Sequence, residues 1–329
     1  MGNPYNYRNK AQYPCKDGKI GFYSPRTHEV IENDYCYIQD EESDKLAKRA
    51  FDILSKSGNA CYNETDKSGS IRHIMVRIGK NSGELMLVII TNTEEIKGKD
   101  ILIETLKKEF NNLKSIIQNI NNINTNVIMG NKCITLFGKD TIVDTLGDFK
   151  FKISPLSFYQ VNPVQTEALY YKAVEMADLK GTEIAFDLYC GIGTISSFLS
   201  SKCKMVYGVE VVEEAIKDAR ENAKMNNISN IEFRCGTAEE LIPQMYEKEK
   251  ISADVVFVDP PRKGCDQSLL DTIIKMKPEK MIYVSCNVAT LARDLKYLVE
   301  NGYELETIQP VDQFPQTAHV ETIALIKHL

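Results

Sequence analysis

The segment Phe186–Thr194 reads FDLYCGIGT and decides the fold of the second half of the chain. It begins as an apolar strand, turns through Gly191 and Gly193, and leads into a helix. Glycines in such a turn let the backbone approach a ligand without a side chain in the way. The following helix start offers unpaired N–H groups, so the segment predicts a cofactor-binding loop. An ordinary glycine turn is the alternative that this segment alone leaves open.

The next apolar strand supports the cofactor interpretation. It is followed by Glu210, which lies 17 residues after Gly193. A carboxylate at this position can accept hydrogen bonds from both ribose hydroxyls of an adenosyl group, although a solvated strand-end glutamate is also possible. Ser196 stands where a dinucleotide-binding GxGxxG motif has its third glycine. The pattern therefore favours S-adenosylmethionine over NAD.

Short apolar strands alternate with helices on both sides of this loop. Such alternation is typical of a parallel, doubly wound sheet that binds ligands at the carboxyl ends of its strands. We therefore expect residues 153–329 to form a Rossmann-like α/β domain, with two late strands closing one edge. The predicted strands are Ile184–Leu188, Met205–Val209, Ile231–Arg234, Val255–Val258, Met281–Val284, Tyr303–Val311 and Val320–Ile326, and the predicted helices include Glu213–Met225 and Leu269–Lys275.

The first half, residues 1–152, has a different rhythm. Two pairs of strand-like segments, each joined by a short turn-forming connection, predict hairpins. Helix-like segments separate them, so we expect an α+β domain with an antiparallel sheet. The predicted hairpins are Tyr7–Cys15 with Ile20–Tyr23 and Ile71–Ile78 with Leu85–Thr91. The predicted helices are Leu46–Lys56 and a long amphipathic Ile101–Ile120, followed by short strands from Asn126 to Ile153.

Composition restricts the class of protein. Hydrophobic residues make up 43% and charged residues 26%, which is ordinary for a globular protein. No apolar run is long enough for a membrane span and the N-terminus lacks a signal-peptide core, so a cytoplasmic protein is expected. The net charge of −6 argues against a general nucleic-acid binder, so any contact with a nucleic acid must come from local basic patches. The nine cysteines include no CxxC pair, and no metal site or disulfide framework is expected.

A proline-rich loop follows the fourth predicted strand of the second half. The segment Val258–Gly264 reads VDPPRKG, and its two prolines make a stiff rim beside the predicted cofactor site. An aromatic residue after Asp-Pro-Pro would suggest methylation of an adenine or cytosine amino group. Arg262 occupies that place, and arginine is suited to phosphate contact. The loop therefore argues against an amino-methyltransferase.

A cysteine at the end of the fifth strand suggests a covalent mechanism. Cys286 lies on the predicted cofactor side of the sheet, and Glu321 lies on the edge strand late in the sheet, from which it could reach the same pocket. Methylation of uracil at C5 needs a thiolate that adds to C6 and a base that later removes the C5 proton, acting on a base withdrawn from its stack. Taken alone, a strand-end cysteine such as Cys286 is more often a buried structural thiol, and Glu321 is equally well interpreted as an ordinary strand residue.

Five motifs together resemble the RNA uracil-5-methyltransferases, which modify 23S ribosomal RNA or tRNA. The resemblance covers nearly all of the second half and reaches into the first. The first-half motif is more similar to the ribosomal-RNA branch, so 23S RNA is the expected partner, with tRNA as the alternative. The motifs are YRNKAQYP (7–14), FDLYCGIGT (186–194), VVFVDPPRKG (255–264), VSCNVATLARD (284–294) and QFPQTAHVET (313–322).

The resemblance also implies roles for individual residues. Cys286 would be the nucleophile and Glu321 the general base of a class I S-adenosylmethionine-dependent methyltransferase that forms 5-methyluridine. No membrane or obligate protein partner is implied. The residues implied to line the cofactor and target pocket are Gln160, Tyr189, Glu210 and Asp259, beside Gly191 and Gly193 of the loop.

The chain departs from the family pattern in three places, and the mildest is Tyr189, which replaces a phenylalanine seen in some members. Val288 follows Ser-Cys-Asn where a proline is usual, and we expect the loop to keep its shape. Many ribosomal-RNA members carry an N-terminal TRAM domain and a four-iron cluster held by four cysteines. Cys36 matches only the last of those ligands, so no iron–sulfur cluster is expected here, and the chain either belongs to a longer protein or lacks both features. A non-catalytic RNA-binding module of the same fold is the alternative function.

Overall fold

The computed structural model describes residues 2–123 and 127–329 of the chain. These residues form two compact units. The first comprises Asn3–Thr145 and Lys152–Leu156, and the second comprises Gly2, Leu146–Phe151 and Ser157–Leu329. No helix in the described part of the chain is long and apolar enough to cross a membrane.

The first unit is built on a six-stranded sheet in the order β2-β1-β5-β6-β7-β8, and two helices pack on one of its faces. Both predicted hairpins are confirmed, because β1 pairs with β2 and β5 pairs with β6 in antiparallel register. In chain order the elements are β1 (Lys10–Lys16), β2 (Lys19–Ile20), β3 (Phe22–Tyr23), β4 (Val30–Ile31), α1 (Glu41–Lys56), β5 (Ile71–Ile78), β6 (Leu85–Thr91), α2 (Lys99–Glu109), β7 (Leu113–Ile120), β8 (Lys132–Gly138), β9 (Ile142–Leu146) and β10 (Phe149–Ile153).

The prediction of one long helix over Ile101–Ile120 is wrong. Helix α2 ends at Glu109, and strand β7 begins after Asn111 and Asn112. The side-chain amide of Asn112 donates to the carbonyl oxygen of Gly83 at 2.8 Å, which fixes the chain in a non-helical connection. The adjacent isoleucines of β7 are β-branched and favour a strand once neighbouring strands can pair with them. Tertiary pairing therefore overrides the helical spacing.

The sheet of the first unit is mixed, whereas an antiparallel sheet was predicted. Strand β7 pairs with β6 in parallel, with Leu87 opposite Ile116, and with β8 in antiparallel register. The parallel pair arises because α2 carries the chain back across the sheet between β6 and β7. Of the short strands predicted between Asn126 and Ile153, β8, β9 and β10 are present, and Asn126 itself lies outside the described residues.

The second unit is a seven-stranded sheet in the order β13-β12-β11-β14-β15-β17-β16. The first five strands in this order are parallel, and the last two are antiparallel to their neighbours, as the two predicted closing strands require. In chain order the elements are α3 (Pro163–Ala177), β11 (Ile184–Leu188), α4 (Thr194–Ser200), β12 (Met205–Glu210), α5 (Glu213–Met225), β13 (Ile231–Cys235), α6 (Ala238–Pro243), β14 (Val255–Val258), α7 (Gln267–Met276), β15 (Lys280–Ser285), α8 (Val288–Glu300), β16 (Tyr303–Val311) and β17 (Glu321–His328).

The central strands of this sheet are buried on both faces. Every residue of β14 is buried, and so are all residues of β15 except its first, Lys280. Continuous apolar strands of this kind need helices on both sides, which explains the alternation seen in the sequence. Parallel strands also end at a common edge, so the loops after β11, β12, β14 and β15 gather there.

Candidate active site

The loop after β11 has the backbone conformation that its glycines permit. Tyr189, Gly191 and Gly193 have φ angles of 66°, 55° and 79°, all in the left-handed region. A Cβ on Gly193 would lie 2.7 Å from the Phe233 ring, whereas the space beside Gly191 is open to 4 Å. Tyr189 takes this conformation at a cost, and its hydroxyl donates to Glu239 at 3.1 Å. The loop is therefore both strained and open at Gly191, where a ligand can approach the backbone.

The Glu210 carboxylate lies beside this loop. One carboxylate oxygen accepts from the backbone N–H of Gly191 at 3.2 Å, and the other accepts from the N–H of Val212 at 2.9 Å. Two backbone donors hold the carboxylate at the end of β12. It remains only partly buried, so part of it stays available to a ligand.

Asp187 and Ser196 form a buried pair that the sequence analysis did not identify. The Ser196 hydroxyl donates to Oδ2 of Asp187 at 2.5 Å. Burial raises the pKa of Asp187 to about 7, against the opposing effect of the Ser196 hydrogen bond. Its other oxygen, Oδ1, has no hydrogen-bond partner among the described residues. The serine at the place of the third glycine was the available signal, because a hydroxyl there can reach back to the strand.

Gln160 and Asp259 meet at the same edge of the sheet. The amide Nε2 of Gln160 donates to Oδ2 of Asp259 at 3.3 Å. Burial raises the pKa of Asp259 to about 7, and the hydrogen bond from Gln160 opposes this rise. A carboxyl group that titrates near neutrality can exchange its proton under physiological conditions.

Cys286 immediately follows β15, and Glu321 is the first residue of the adjacent strand β17, so both lie at this edge. The antiparallel ladder pairs Ser285 with Thr322, and the next residue on each chain is Cys286 and Glu321 respectively. Opposite Cα atoms in such a ladder lie about 4.5–5.5 Å apart. Cys286 is partly buried, whereas Glu321 is only 2% exposed. The two side chains are therefore neighbours, although they are distant in sequence.

The electrostatic environment couples this cysteine to two carboxyl groups. Burial raises the pKa of Cys286, and the nearby charges of Glu321 and Asp259 raise it further, while Arg262 lowers it. Burial also raises the pKa of Glu321 to about 8, with a contribution from Asp259. Perturbed groups in a cluster are typical of catalytic sites. A thiol, two carboxyls and a guanidinium thus share one environment.

The segment after Cys286 is tied to the loop after β14. The side-chain amide of Asn287 donates to the carbonyl oxygen of Arg262 at 2.9 Å, and the Thr290 hydroxyl donates to the same oxygen at 3.2 Å. Asn287 also caps α8 by accepting from the N–H of Ala289 at 3.1 Å. An asparagine immediately before a helical segment is a recognisable cap in sequence, but its contact with Arg262 is not.

Asp294 anchors the other end of that loop. Its Oδ2 accepts from the Tyr283 hydroxyl at 2.7 Å and from the backbone N–H of Cys265 at 2.9 Å, and its Oδ1 accepts from Arg293 at 2.8 Å. At 2% exposed, this carboxylate is buried but fully hydrogen-bonded. A Cβ on Gly264 would lie 2.5 Å from Oδ2, so the neighbouring loop position requires glycine. Sequence analysis did not single out Asp294.

The described residues contain no group of three or more histidine, cysteine or acidic side chains arranged to hold a metal ion. All cysteines in this part of the chain are free thiols, and Cys36 is partly buried.

The sheet order, with its glycine loop after β11 and antiparallel β17, defines a Rossmann-like class I methyltransferase domain. The family model of tRNA (uracil-5-)-methyltransferases matches residues 98–329, so the chain belongs to this family and is an RNA methyltransferase. The family resemblance seen in the sequence is thereby confirmed.

Relatives at high identity span the whole chain. An uncharacterized RNA methyltransferase of Clostridium tetani is 52% identical over 332 residues, covering 100% of this chain and 72% of the relative. Another, from Bacillus cereus, is 53% identical and covers 99% of this chain and 72% of its own length. The crystal structure of Pyrococcus abyssi tRNA (uracil-54, C5)-methyltransferase in complex with S-adenosyl-L-homocysteine superimposes with a TM-score of 0.83 at 28% identity. The match covers 98% of this chain and 75% of that one.

Proposed function

We propose that this protein transfers a methyl group from S-adenosylmethionine to C5 of a uridine in RNA, with Cys286 as nucleophile and Glu321 as base. The observation that carries the proposal is the ladder in which Ser285 pairs with Thr322, which makes the thiol and the carboxyl neighbours at the cofactor edge of the sheet. In this assignment residues 153–329 are the catalytic domain. Residues 1–152 bind RNA outside the target nucleotide.

The residues around the glycine loop fit the cofactor. The open space beside Gly191 lets a ligand lie against the backbone, and the Glu210 carboxylate has the position needed for ribose hydroxyls. The buried Oδ1 of Asp187 is an acceptor without a partner among the described residues, and a ligand N–H or an ordered water would satisfy it. The family resemblance implies four further residues for this pocket, which are Gln160, Tyr189, Gly193 and Asp259.

S-adenosylmethionine supplies an electrophilic methyl group. The thiolate of Cys286 forms a bond to C6 of uracil, and the C5–C6 electron pair moves toward C5 and the O4 carbonyl. C5 then bonds to the methyl carbon as the methyl–sulfonium bond breaks. The carboxylate of Glu321 removes the C5 proton, the C5–C6 double bond re-forms, and Cys286 leaves as a thiolate. The thiolate of Cys286 is regenerated, the uracil regains its C5–C6 double bond with a methyl group at C5, and the demethylated cofactor leaves as S-adenosylhomocysteine.

The pKa shifts of Cys286 and Glu321 are consistent with these steps. Because burial and nearby carboxylates raise the pKa of Cys286, its thiolate needs a local positive charge, and Arg262 acts in that direction. Glu321, with a pKa of about 8, exchanges protons readily near neutral pH. A base with such a pKa is strong enough to remove the C5 proton and weak enough to release it to solvent.

We assign 23S ribosomal RNA as the substrate, with tRNA as the alternative. The similarity of residues 7–14 to the ribosomal-RNA branch supports the first assignment. The tRNA enzyme from Pyrococcus abyssi, as a structural relative, keeps the second open to test. The two differ only in the RNA that is bound, because the chemistry at uracil is the same.

Mass spectrometry of nucleosides tests the activity and the substrate together. The protein is incubated with S-adenosylmethionine and either unmodified 23S RNA or unmodified tRNA, and 5-methyluridine is measured in each digest. We expect 5-methyluridine in 23S RNA with the wild type and none with Cys286→Ala. Cys265→Ala is a matched control, because Cys265 is a buried thiol after the neighbouring strand. Product in tRNA alone would overturn the substrate assignment.

Trapping tests the covalent step independently of product formation. In RNA that carries 5-fluorouridine, C5 bears a fluorine that a base cannot remove as it removes a proton. The wild type should therefore remain covalently bonded to this RNA after one methyl transfer. Tryptic mapping should locate the adduct at Cys286. Methylation by the Cys286→Ala variant, or fluorinated RNA that never cross-links to the wild type, would exclude Cys286 as the nucleophile.

A further inference from the structure

Two surface pockets of similar size lie on the first unit and share Phe110 as a wall. The first, about 480 Å³, is lined by Asp40, Glu41, Glu42 and Glu109 with one lysine. The second, about 510 Å³, has the opposite charge, because three lysines and a single glutamate line it. The two pockets have similar volumes but opposite charges. A polyanion is therefore attracted to the second pocket and repelled by the first.

The lysines of the second pocket are held together by the fold. The backbone N–H of Lys139 donates to the carbonyl oxygen of Lys114 at 3.1 Å, where β8 ends beside the start of β7. Gly138 makes this close approach possible, since a Cβ there would lie 2.0 Å from that same oxygen and its φ is +73°. Lys107, from the last turn of α2, lies 5.1 Å from the centre of the Phe137 ring. Helix α2, strand β7 and the end of strand β8 thus each bring a lysine to this pocket.

The lysine charges of this pocket are mostly available to bind an anion. Lys114 and Lys139 are exposed and form no ion pair with the acidic side chains of the described residues. Lys107 pairs with Glu104 at 3.1 Å, an exposed contact that solvent and salt weaken. The single acidic residue, Glu84, already accepts a hydrogen bond from the N–H of Val143 at 2.8 Å.

We infer that the pocket lined by Lys107, Lys114, Lys139, Phe110 and Phe137 binds a single-stranded stretch of the substrate RNA outside the target nucleotide. Proteins that bind single-stranded RNA combine cationic side chains, which contact phosphates, with aromatic rings, on which bases stack. Because the whole chain has a net charge of −6, phosphate contacts must come from a local basic surface, and this pocket combines three lysines with two phenylalanines. The inference rests on the proposed function, because it takes RNA as the substrate.

Salt-dependent binding tests the inference. The probe is a fluorescein-labelled 20-nucleotide oligouridylate, titrated with the full chain carrying Cys286→Ala so that no adduct forms. Removing the three lysines together (K107A, K114A and K139A) should weaken binding roughly tenfold to a hundredfold at 0.1 M salt. The slope of log affinity against log salt should fall by about 2, since each phosphate contact to a single strand contributes roughly 0.7.

Two further variants separate this effect from general charge and from folding. A control with Lys45, Lys56 and Lys108 changed to alanine alters net charge equally but leaves the pocket intact, and its affinity should match the parent. Phe137→Leu keeps an apolar side chain and all three lysines, and it should weaken binding about fivefold or more without changing the salt slope. It removes the aromatic ring on which a base stacks and over which Lys107 lies, but no charge. Unchanged melting temperatures establish that each variant is folded.

The outcomes distinguish this inference from the proposed function. If the pocket variant and the control bind oligouridylate with the same affinity and salt slope while the wild type forms 5-methyluridine, the pocket assignment is wrong and the function stands. If the pocket variant loses affinity but the wild type methylates no RNA, the function fails and the pocket remains an RNA-binding surface. An equal loss of oligouridylate affinity in the pocket variant and in the control would also overturn the assignment, because binding would then depend on total charge and not on this pocket.

Discussion

The amide of Asn287, the residue after Cys286, donates to the carbonyl oxygen of Arg262 at 2.9 Å. This hydrogen bond joins the two loops that carry the thiol and the guanidinium. Because Arg262 lowers the pKa of Cys286, the contact affects chemistry as well as packing. In the proposed mechanism Asn287 is a positioning residue, since it acts on Cys286 through the neighbouring loop.

Asn287→Ala should shift the pH profile of adduct formation toward higher pH. The variant loses the hydrogen bond that holds the Arg262 loop, so the thiolate of Cys286 loses part of its stabilisation and forms at higher pH. The lost helix cap should also destabilise the protein by about 0.5–2 kcal/mol. The rate of cross-linking to 5-fluorouridine RNA, measured from pH 6 to 9, reports the shift. Asn301→Ala is the control, because Asn301 bonds to Tyr297 at the opposite end of α8.

Glu210→Ala should weaken S-adenosylmethionine binding at least tenfold. Charge-assisted hydrogen bonds to ribose hydroxyls contribute about 1.5–3 kcal/mol, and roughly 1.4 kcal/mol corresponds to a factor of ten. Titration calorimetry measures the affinity directly. Glu213→Ala, on the exposed first turn of the following helix, should bind as the wild type does. Equal affinities in all three proteins would remove Glu210 from the cofactor site.

Glu321→Gln should allow cysteine addition and methyl transfer but block release. A methylated RNA–protein adduct that survives denaturing electrophoresis should therefore accumulate with ordinary uridine RNA. In the wild type, release should accelerate as pH rises from 6 to 9, because a carboxyl group with a pKa of about 8 must be ionised to act as the base. Glu304→Gln, an exposed change on adjacent β16, should release product normally. Rapid release by the Glu321 variant would exclude Glu321 as the base.

The free protein should lose stability as pH rises toward 8. Burial raises the folded-state pKa of Asp187 and Asp259 to about 7 and that of Glu321 to about 8, above ordinary carboxyl values. Groups with raised pKa favour the folded state in their protonated form, so their stabilisation is complete below about pH 4 and is lost as pH rises through 7 and 8. Calorimetric melting from pH 5.5 to 8.5 should show a falling melting temperature. The slope should be shallower in Glu321→Gln, and an unaltered slope would contradict the assignment of this carboxyl.

Much of the fold could be predicted from local patterns. The strands Ile184–Leu188, Val255–Val258 and Tyr303–Val311 were predicted with the bounds that the structure has. For the first two, a short apolar run suffices, because strands buried on both faces leave a continuous signal, whereas Tyr303–Val311 is a largely exposed edge strand that alternates apolar and polar residues. The prediction of one continuous helix over Ile101–Ile120 failed. Its C-terminal part has helical spacing but forms β7, because pairing with the two neighbouring strands stabilises it more than a helix would.

The sequence was sufficient to predict the glycine loop after β11, the succession of strands and helices in the second half, and the family resemblance that implies roles for Cys286 and Glu321. These depend on residue type and short spacing, which are local. The tertiary structure alone decided that Ser285 pairs with Thr322, that Asp294 anchors the Gly264 loop, and that Ser196 bonds to Asp187. Such contacts join residues far apart in the chain or on different elements. Their register follows from how whole strands and helices pack, and no single segment encodes it.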